Sequence, residues 1–183
     1  RKQFPSAKIL RMDLDTTSKK EGHLEILSAF ARGEADILIG TQMIVKGHDF
    51  PRVTLVGALG ADLSLYAPDY RCGEQTFDLL VQAAGRAGRG RHPGTAVIQT
   101  YQPDHYAVQA AASQDYRAFY EQEMGYRRLM GYPPAVGLLT VQMSSRDEQT
   151  LLSEADLLAR YLNERESAGK DRQLIGPVNG PGY

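Results

Sequence analysis

One stretch decides both the fold and the chemistry that this sequence predicts: Phe77-Asp78-Leu79-Leu80-Val81-Gln82-Ala83-Ala84-Gly85-Arg86-Ala87-Gly88-Arg89-Gly90-Arg91. Its apolar residues recur at the i, i+3, i+4 and i+7 spacing of a helix whose one face lies in a core. If the helix continues, Gln82, Arg86 and Arg89 share the opposite face, because each residue advances by about 100°. The stretch therefore predicts a helix that presents an amide and two guanidinium groups to a cleft.

Guanidinium groups suit phosphates, since their fixed fork of donors engages two oxygens and their charge does not titrate away. An arginine that contacts a transferring phosphoryl group stabilises the charge of the transition state. The glycines Gly85, Gly88 and Gly90 form helix poorly, and we interpret them as positions of close backbone approach. The alternative is a solvated basic helix end. Solvation alone, however, requires neither the glutamine nor the glycines.

The elements around this helix indicate an α/β fold. Apolar, non-alternating runs predict strands at residues 8–12, 35–40, 53–58 and 95–100. An amphipathic pattern over residues 24–31 predicts an earlier helix that stops near Gly33. The order strand, helix, strand, strand, helix, strand predicts a parallel sheet with crossover helices.

After Pro103 the pattern becomes helical, with Asp104 and Asp115 as predicted N-caps of two helices. The run Gly131-Tyr132-Pro133-Pro134 predicts a domain boundary. Two interpretations stay open for Arg127 and Arg128, just before this run: contact with a DNA phosphate, or simple solvation.

Beyond the boundary, alternation over residues 139–143 predicts a half-exposed strand, and residues 151–162 predict an amphipathic helix. Residues 173–175 are expected to begin a further strand. We therefore expect three parts: 1–102, 103–134 as a helical connector, and 135–183 as an incomplete α+β domain.

Composition limits the function classes. The chain has 183 residues and a net charge of −1, which excludes a basic surface over the whole molecule but not a local basic strip. Cys72 is the only cysteine, so a disulfide framework and a CxxC zinc site within the chain are excluded. The four histidines lack metal-ligand spacing, and no metal site is predicted here. No signal-peptide or membrane-span pattern occurs, and we expect a reducing, cytoplasmic setting without membrane contact.

A second candidate site follows the predicted strand at 35–40, where open α/β sheets place their ligands. Thr41 and Gln42 can hydrogen-bond a sugar or a phosphate, and Lys46 adds a positive charge. Gly47 permits close approach, and Asp49 can accept a hydrogen bond from a ribose hydroxyl. The alternative is an ordinary loop, in which Asp49 caps a turn and Lys46 points to water.

These residues resemble known helicase motifs. The stretch 40–51 with 53–56 resembles motif V of superfamily 2 helicases, and 82–89 resembles motif VI. Over essentially the whole chain, the sequence resembles the family of bacterial primosomal replication-restart helicases known as PriA (primosomal protein N′). The more particular matches are at residues 11–17, 68–71, 131–134 and 174–178.

The resemblance implies that residues 1–102 are the second RecA-like lobe of an ATP-driven 3′-to-5′ DNA helicase that loads replication machinery at abandoned forks. It implies that Arg86 and Arg89 face the ATP γ-phosphate beside Gln82, with Arg89 as the arginine finger. The other implied roles are DNA binding for Thr41, Gln42 and Lys46 and nucleotide binding for Gly47 and Asp49. The implied partners are forked or single-stranded DNA, the primosome and single-strand-binding proteins.

The chain lacks other parts of such an enzyme. Neither a G-x-x-x-x-G-K-[ST] loop nor a D-E-x-H string occurs in it. The family carries these in its first lobe, and its zinc-binding cysteines in an insertion. We therefore expect a C-terminal fragment that shares ATP and Mg²⁺ with a first lobe and does not hydrolyse ATP alone. Two alternatives stay open: a non-catalytic module that binds DNA forks or partner proteins, and a free-standing phosphate-binding regulator.

Overall fold

The computed structural model describes residues 3–12, 20–45, 50–88, 93–166 and 173–178. The strands are β1 (Ile9–Met12), β2 (Ile37–Gly40), β3 (Leu55–Ala58) and β4 (Thr95–Ile98). The α-helices are α1 (Lys20–Arg32), α2 (Cys72–Ala84), α3 (Tyr106–Ser113), α4 (Tyr116–Met130) and α5 (Glu148–Glu166). Two 3₁₀ helices, η1 (Gln42–Val45) and η2 (Ala61–Tyr66), follow β2 and β3.

The strands form two parallel pairs, each made by a strand–helix–strand unit. β1 pairs with β2 from Ile9 opposite Ile37 to Met12 opposite Gly40, and α1 lies between them in the chain. β3 pairs with β4 from Leu55 opposite Thr95 to Ala58 opposite Ile98, and α2 lies between them. The predicted α/β fold with parallel strands and crossover helices is confirmed, although within the described residues the strands form two two-stranded sheets instead of one.

Each pair has its own hydrophobic cluster. The first cluster joins β1, α1 and the segment before β3 through Met12, Leu27 and Phe50. The second is built around α2, where Phe77 and Leu80 of the predicted stripe are fully buried. The Phe77 ring stacks on that of Phe119 in α4, with 4.2 Å between centroids. Burial of this stripe, at about 25 cal/mol per Å² of apolar surface, is what holds α2 in the fold.

The helices after β4 begin and end as their caps dictate. The side chain of His105, not Asp104, caps α3 by accepting a hydrogen bond from the Ala107 N–H at 3.2 Å, so the predicted cap is wrong by one residue. Asp115 caps α4 as predicted, accepting from the Ala118 N–H at 3.0 Å. Gly131, with φ 67°, ends α4 at the predicted break.

The chain divides into two compact units, Arg1–Gly137 and Leu138–Tyr183. Within the described residues of the second unit, α5 is the only regular element. The strand predicted over residues 139–143 is wrong, and none forms over 173–175. Leu139 and Val141 are exposed there, and an alternating segment needs a neighbouring strand to satisfy its backbone groups. The three-part division at 102 and 134 stays a prediction.

Candidate functional site

The first part of the candidate site lies at the carboxyl end of β2. A Cβ built at Gly40 would lie 2.6 Å from Cγ2 of Ile44 and 2.7 Å from the carbonyl oxygen of Met12. Only glycine therefore lets η1 turn so tightly onto the strand end. Thr41 accepts a hydrogen bond from the Ile44 N–H at 3.1 Å through its backbone oxygen, and Thr41 and Gln42 are exposed at the sheet edge. This is the position expected for them from the sequence.

The chain that returns from this edge is anchored on α1. Phe50 is buried, and its ring meets that of Phe30 edge-on, with 5.2 Å between centroids. Nη2 of Arg52 donates a hydrogen bond to the carbonyl oxygen of Ala31 at 2.8 Å, near the C-terminal end of α1, where carbonyl groups lack helical partners. Both flanks of the loop are thus held by packing. The candidate residues Lys46, Gly47 and Asp49 lie outside the described residues.

The second part of the site is the C-terminal end of α2 with the turn that follows it, and α2 contacts η1. Gln82 is exposed in the last turn of α2, and Arg86 is half-buried just beyond it. The Gly85 N–H donates to the Val81 oxygen at 2.9 Å, and the Arg86 N–H donates to the Ala83 oxygen at 3.0 Å. The helix thus tightens into a 3₁₀-like turn that carries Arg86. The structure brings the elements of Thr41, Gln42, Gln82 and Arg86 together.

The helix does not continue to the second arginine, and the expected i, i+7 placement of Arg89 on it is wrong. α2 ends at Ala84, and Gly88 has φ 78°, a left-handed conformation that stops helical turns. Arg89 and Arg91 lie outside the described residues.

The close backbone approach predicted for Gly88 is confirmed. Its N–H donates to the Val53 oxygen at 3.0 Å, which ties the end of the stretch to the segment before β3. A Cβ built at Gly94 would lie 2.6 Å from Cα of Gly88. The two glycine backbones therefore touch, and neither position has room for a side chain.

A buried charged cluster at the start of α2 was missed by sequence reasoning. Arg127 is neither simply solvated nor open to a DNA phosphate: its side chain is only 8% exposed, and it forms ion pairs with Glu123 at 2.7 Å and with Glu74 at 2.8 Å. Burial alone would lower the pKa of Arg127, but hydrogen bonds to these two carboxylates outweigh it and raise the pKa. The i, i+4 spacing of Glu123 and Arg127 was the available signal.

The cluster also includes a tyrosine. The hydroxyl of Tyr106 donates to Oε2 of Glu123 at 2.6 Å, and burial together with this bond raises the pKa of Tyr106 well above its usual range. Among the described residues, no group of three or more His, Cys, Asp or Glu side chains is arranged to hold a metal ion. No helix in the described ranges is long and apolar enough to cross a bilayer.

Comparison with known proteins gives one consistent family. Residues 2–91 match the family model of the helicase conserved C-terminal domain. A replication restart protein PriA from Bacillus subtilis (strain 168) is 48% identical over 98% of this chain and 22% of its own length. The PriA proteins of Chlamydia pneumoniae and Synechocystis sp. are 44% and 43% identical, over 88% and 96% of this chain and 22% and 21% of their own lengths. The chain thus spans about a fifth of the length of these curated relatives.

Proposed function

Because the chain belongs to the PriA replication restart family, we propose that it supplies the second helicase lobe of an ATP-dependent 3′-to-5′ DNA helicase. The longer protein restarts stalled replication forks by assembling the primosome. In this proposal residues 1–102 form the lobe, 103–134 connect it, and 135–183 begin the C-terminal domain. The observation that carries the proposal is the packing of α2, whose end bears Gln82 and Arg86, against η1 at the carboxyl end of β2.

The donor set at this edge suits a nucleoside triphosphate. Arg86 offers a planar fork of N–H groups that engages two phosphate oxygens, and Gln82 offers an amide that both donates and accepts. Arg89, the arginine finger of the proposal, neutralises charge on the transferring phosphoryl group. Gly47 and Asp49 approach the ribose. ATP with its Mg²⁺ supplies the free energy of phosphoryl transfer, and the side chains of this lobe orient it and respond to its hydrolysis.

DNA is the second ligand of the proposed lobe. Thr41, Gln42 and Lys46 bind the strand backbone beside the nucleotide. Hydrogen bonds from a threonine hydroxyl and a glutamine amide to phosphate do not depend on the base sequence. This suits an enzyme that moves along a strand of any sequence. Primosomal proteins and single-strand-binding proteins are the proposed partners, zinc is held elsewhere in the longer protein, and the setting is the cytoplasm.

The proposed lobe alone is incomplete as an ATPase. The sequence contains no G-x-x-x-x-G-K-[ST] loop to hold the β- and γ-phosphates and no D-E-x-H string for the metal and the attacking water. We therefore expect the 183-residue chain to bind ATP weakly and to hydrolyse none. ATP hydrolysis by the purified chain, above that of a mock preparation, would contradict this.

The test of the function is a set of arginine variants in the full-length protein. Arg89→Ala is expected to lower DNA-stimulated ATP turnover by about 10³-fold or more, because the charge of the transition state loses its partner, while DNA binding is largely kept. Arg86→Ala is expected to act in the same direction. Arg117→Ala is the matched control, since that exposed arginine pairs with Glu121 on the surface of α4.

Two outcomes decide the proposal. Wild-type turnover in Arg89→Ala overturns the finger assignment. If the full-length wild type binds forked DNA but shows no DNA-dependent ATP hydrolysis, the helicase proposal fails and the non-catalytic binding module takes its place.

A further inference from the structure

The buried cluster at the start of α2 gives every nitrogen of one guanidinium group its own acceptor. Nε of Arg127 donates to Oε1 of Glu123 at 2.7 Å, Nη2 to Oε2 of Glu74 at 2.8 Å, and Nη1 to the carbonyl oxygen of Pro133 at 2.9 Å. Glu74 lies in the first turn of α2, whereas Pro133 lies in the segment after α4. A single side chain thus fixes α4 to two other segments.

Aromatic rings extend this set of contacts. Cζ of Arg127 lies 5.4 Å from the ring centroid of Tyr70, just before α2, a cation–π distance. The Tyr70 ring stacks on that of Tyr132, with 5.4 Å between centroids. The hydroxyl of Tyr106 on α3 donates a hydrogen bond to the other carboxylate oxygen of Glu123, Oε2. The start of α2 is thereby joined to α3, to α4 and to the segment after α4.

The backbone of α2 is shaped to admit the cluster. A Cβ built at Gly73 would lie 2.6 Å from the hydroxyl oxygen of Tyr106 and 2.8 Å from Oε2 of Glu123. The absence of a side chain at this helical position therefore lets the two polar groups come against the helix itself. A glycine within a helix costs conformational entropy. Gly73 is therefore explained by the close contact that it permits and not by helix propensity.

Buried ion pairs often stabilise a fold no better than apolar side chains of the same volume. Their geometry, in contrast, is specific, because each donor has one direction and one partner. α2 is a continuous helix to Ala84, and at 1.5 Å per residue the 10 residue steps from Glu74 to Ala84 span about 15 Å. A change of direction at the start of α2 is thus carried to its far end.

We propose that Glu74 and Arg127 are positioning residues that set the direction of α2 from the connector helix α4. They thereby set the placement of Gln82 and Arg86 at the candidate nucleotide site. This inference rests on the proposed function for its effect on ATP turnover. The effect on α2 itself does not depend on that function.

The two ion pairs of Arg127 separate positioning from folding. The Glu123–Arg127 pair lies within α4, and both side chains are buried, at 6% and 8% exposure. The Glu74–Arg127 pair joins two helices, and the Glu74 side chain is 46% exposed. Glu74→Ala therefore removes the link between helices while Glu123 still neutralises Arg127, so no buried charge is left without a partner.

The first experiment measures amide hydrogen exchange in the 183-residue chain. The reporters are the Arg86 N–H, bonded to the Ala83 oxygen, and the Gly88 N–H, bonded to the Val53 oxygen. In Glu74→Ala both are expected to exchange about tenfold faster, because local opening at the end of α2 becomes more frequent. Glu121→Ala, which removes an exposed pair with Arg117, is the control and is expected to change neither. Unchanged exchange at both reporters in Glu74→Ala overturns the inference.

The second experiment measures DNA-stimulated ATP hydrolysis by the full-length protein. Glu74→Ala is expected to lower kcat by about tenfold while the KM for ATP changes by less than about twofold, since mispositioned groups weaken contacts made in the transition state. Glu74→Gln keeps an acceptor oxygen for Nη2 of Arg127 and is expected to restore most of kcat. Unchanged kcat in Glu74→Ala overturns the inference. A wild type that hydrolyses no ATP removes only the proposed function, because the exchange experiment still decides the positioning.

Discussion

The two ends of α2 are held in opposite ways. At its start, the buried Arg127 of α4 forms an ion pair with Glu74 in the first turn of α2. Past its end, the backbone makes close contacts: the Gly88 N–H donates to the Val53 oxygen, and Gly88 lies against Gly94. These contacts require that neither glycine carries a Cβ atom. The difference indicates that α2 is anchored by a buried ion pair at one end and by backbone packing at the other, the end that carries Gln82.

The two kinds of anchor fail differently. A buried ion pair is costly to break from one side, because the remaining charge stays buried without a partner. A contact between two glycine backbones does not depend on charge or salt, but it admits no Cβ atom. Substitutions at the two ends should therefore be distinguishable by their size and by what restores them.

The largest effect is expected at the charged end. Arg127→Met leaves Glu123 buried with only the Tyr106 hydroxyl as partner, and we expect the free energy of unfolding to fall by about 3–5 kcal/mol. Urea denaturation of the 183-residue chain measures it. The control is Arg117→Met, whose ion pair with Glu121 has side chains 88% and 62% exposed, so the loss should be at most about 0.5 kcal/mol. Equal losses in the two variants would show that the cluster is not the stronger anchor.

The next effect is expected at the glycine end. In Gly94→Ala the new methyl group meets the Gly88 backbone, and we expect a loss of about 1–3 kcal/mol, typical of a forced backbone shift. Gly125→Ala, in the middle of α4 with open space around its Cβ position, is the control and should gain about 0.5–1 kcal/mol from helix propensity. Urea denaturation compares the two. An unchanged free energy of unfolding in Gly94→Ala would mean that the segments around Gly88 and Gly94 can move apart without cost.

The local parts of this comparison could be predicted from the sequence. The apolar stripe of α2 has helical spacing, and its core positions Phe77 and Leu80 are indeed buried. The close approach predicted at Gly88 is also confirmed, since a glycine lacks the Cβ atom that would keep two backbones apart. The four strands have the apolar pattern of parallel strands, and all four are present.

The parts that depend on distant residues could not. Glu74 and Arg127 are 53 positions apart, and neither residue signals its partner in the sequence. Periodicity extends α2 too far, because it does not reveal that Gly88 takes a left-handed φ. The strand over residues 139–143 was wrong since alternation shows an amphipathic face but not whether a neighbouring strand exists to pair with it.

The candidate site divides along the same line. The positions of four candidate residues could be predicted from the elements that carry or adjoin them: Thr41, Gln42, Gln82 and Arg86. The structure brings those elements, η1 and α2, into contact. The roles of all eight candidate residues stay predictions, and four of them, Lys46, Gly47, Asp49 and Arg89, lie outside the described residues. The variants that test them belong to the full-length protein, where a nucleotide is expected to bind between lobes.

The smallest effect is expected at a partly exposed ion pair beside the start of α2, where the contribution to stability depends on pH. Asp69, just before α2, accepts hydrogen bonds from the Arg71 side chain at 2.8 and 3.1 Å and from its N–H at 2.9 Å, which lower the pKa of Asp69 from 3.8 to about 2. The folded state therefore binds fewer protons than the unfolded state between about pH 2 and 4, so this stabilisation is complete above that window and is lost as the pH falls through it. In thermal unfolding from pH 2 to 7, the Tm of the wild type should exceed that of Asp69→Asn near neutrality. The two Tm values should converge towards pH 2. A constant difference across that range would mean that the ionised carboxylate contributes nothing, and that the charge at this end of α2 matters only where it is buried.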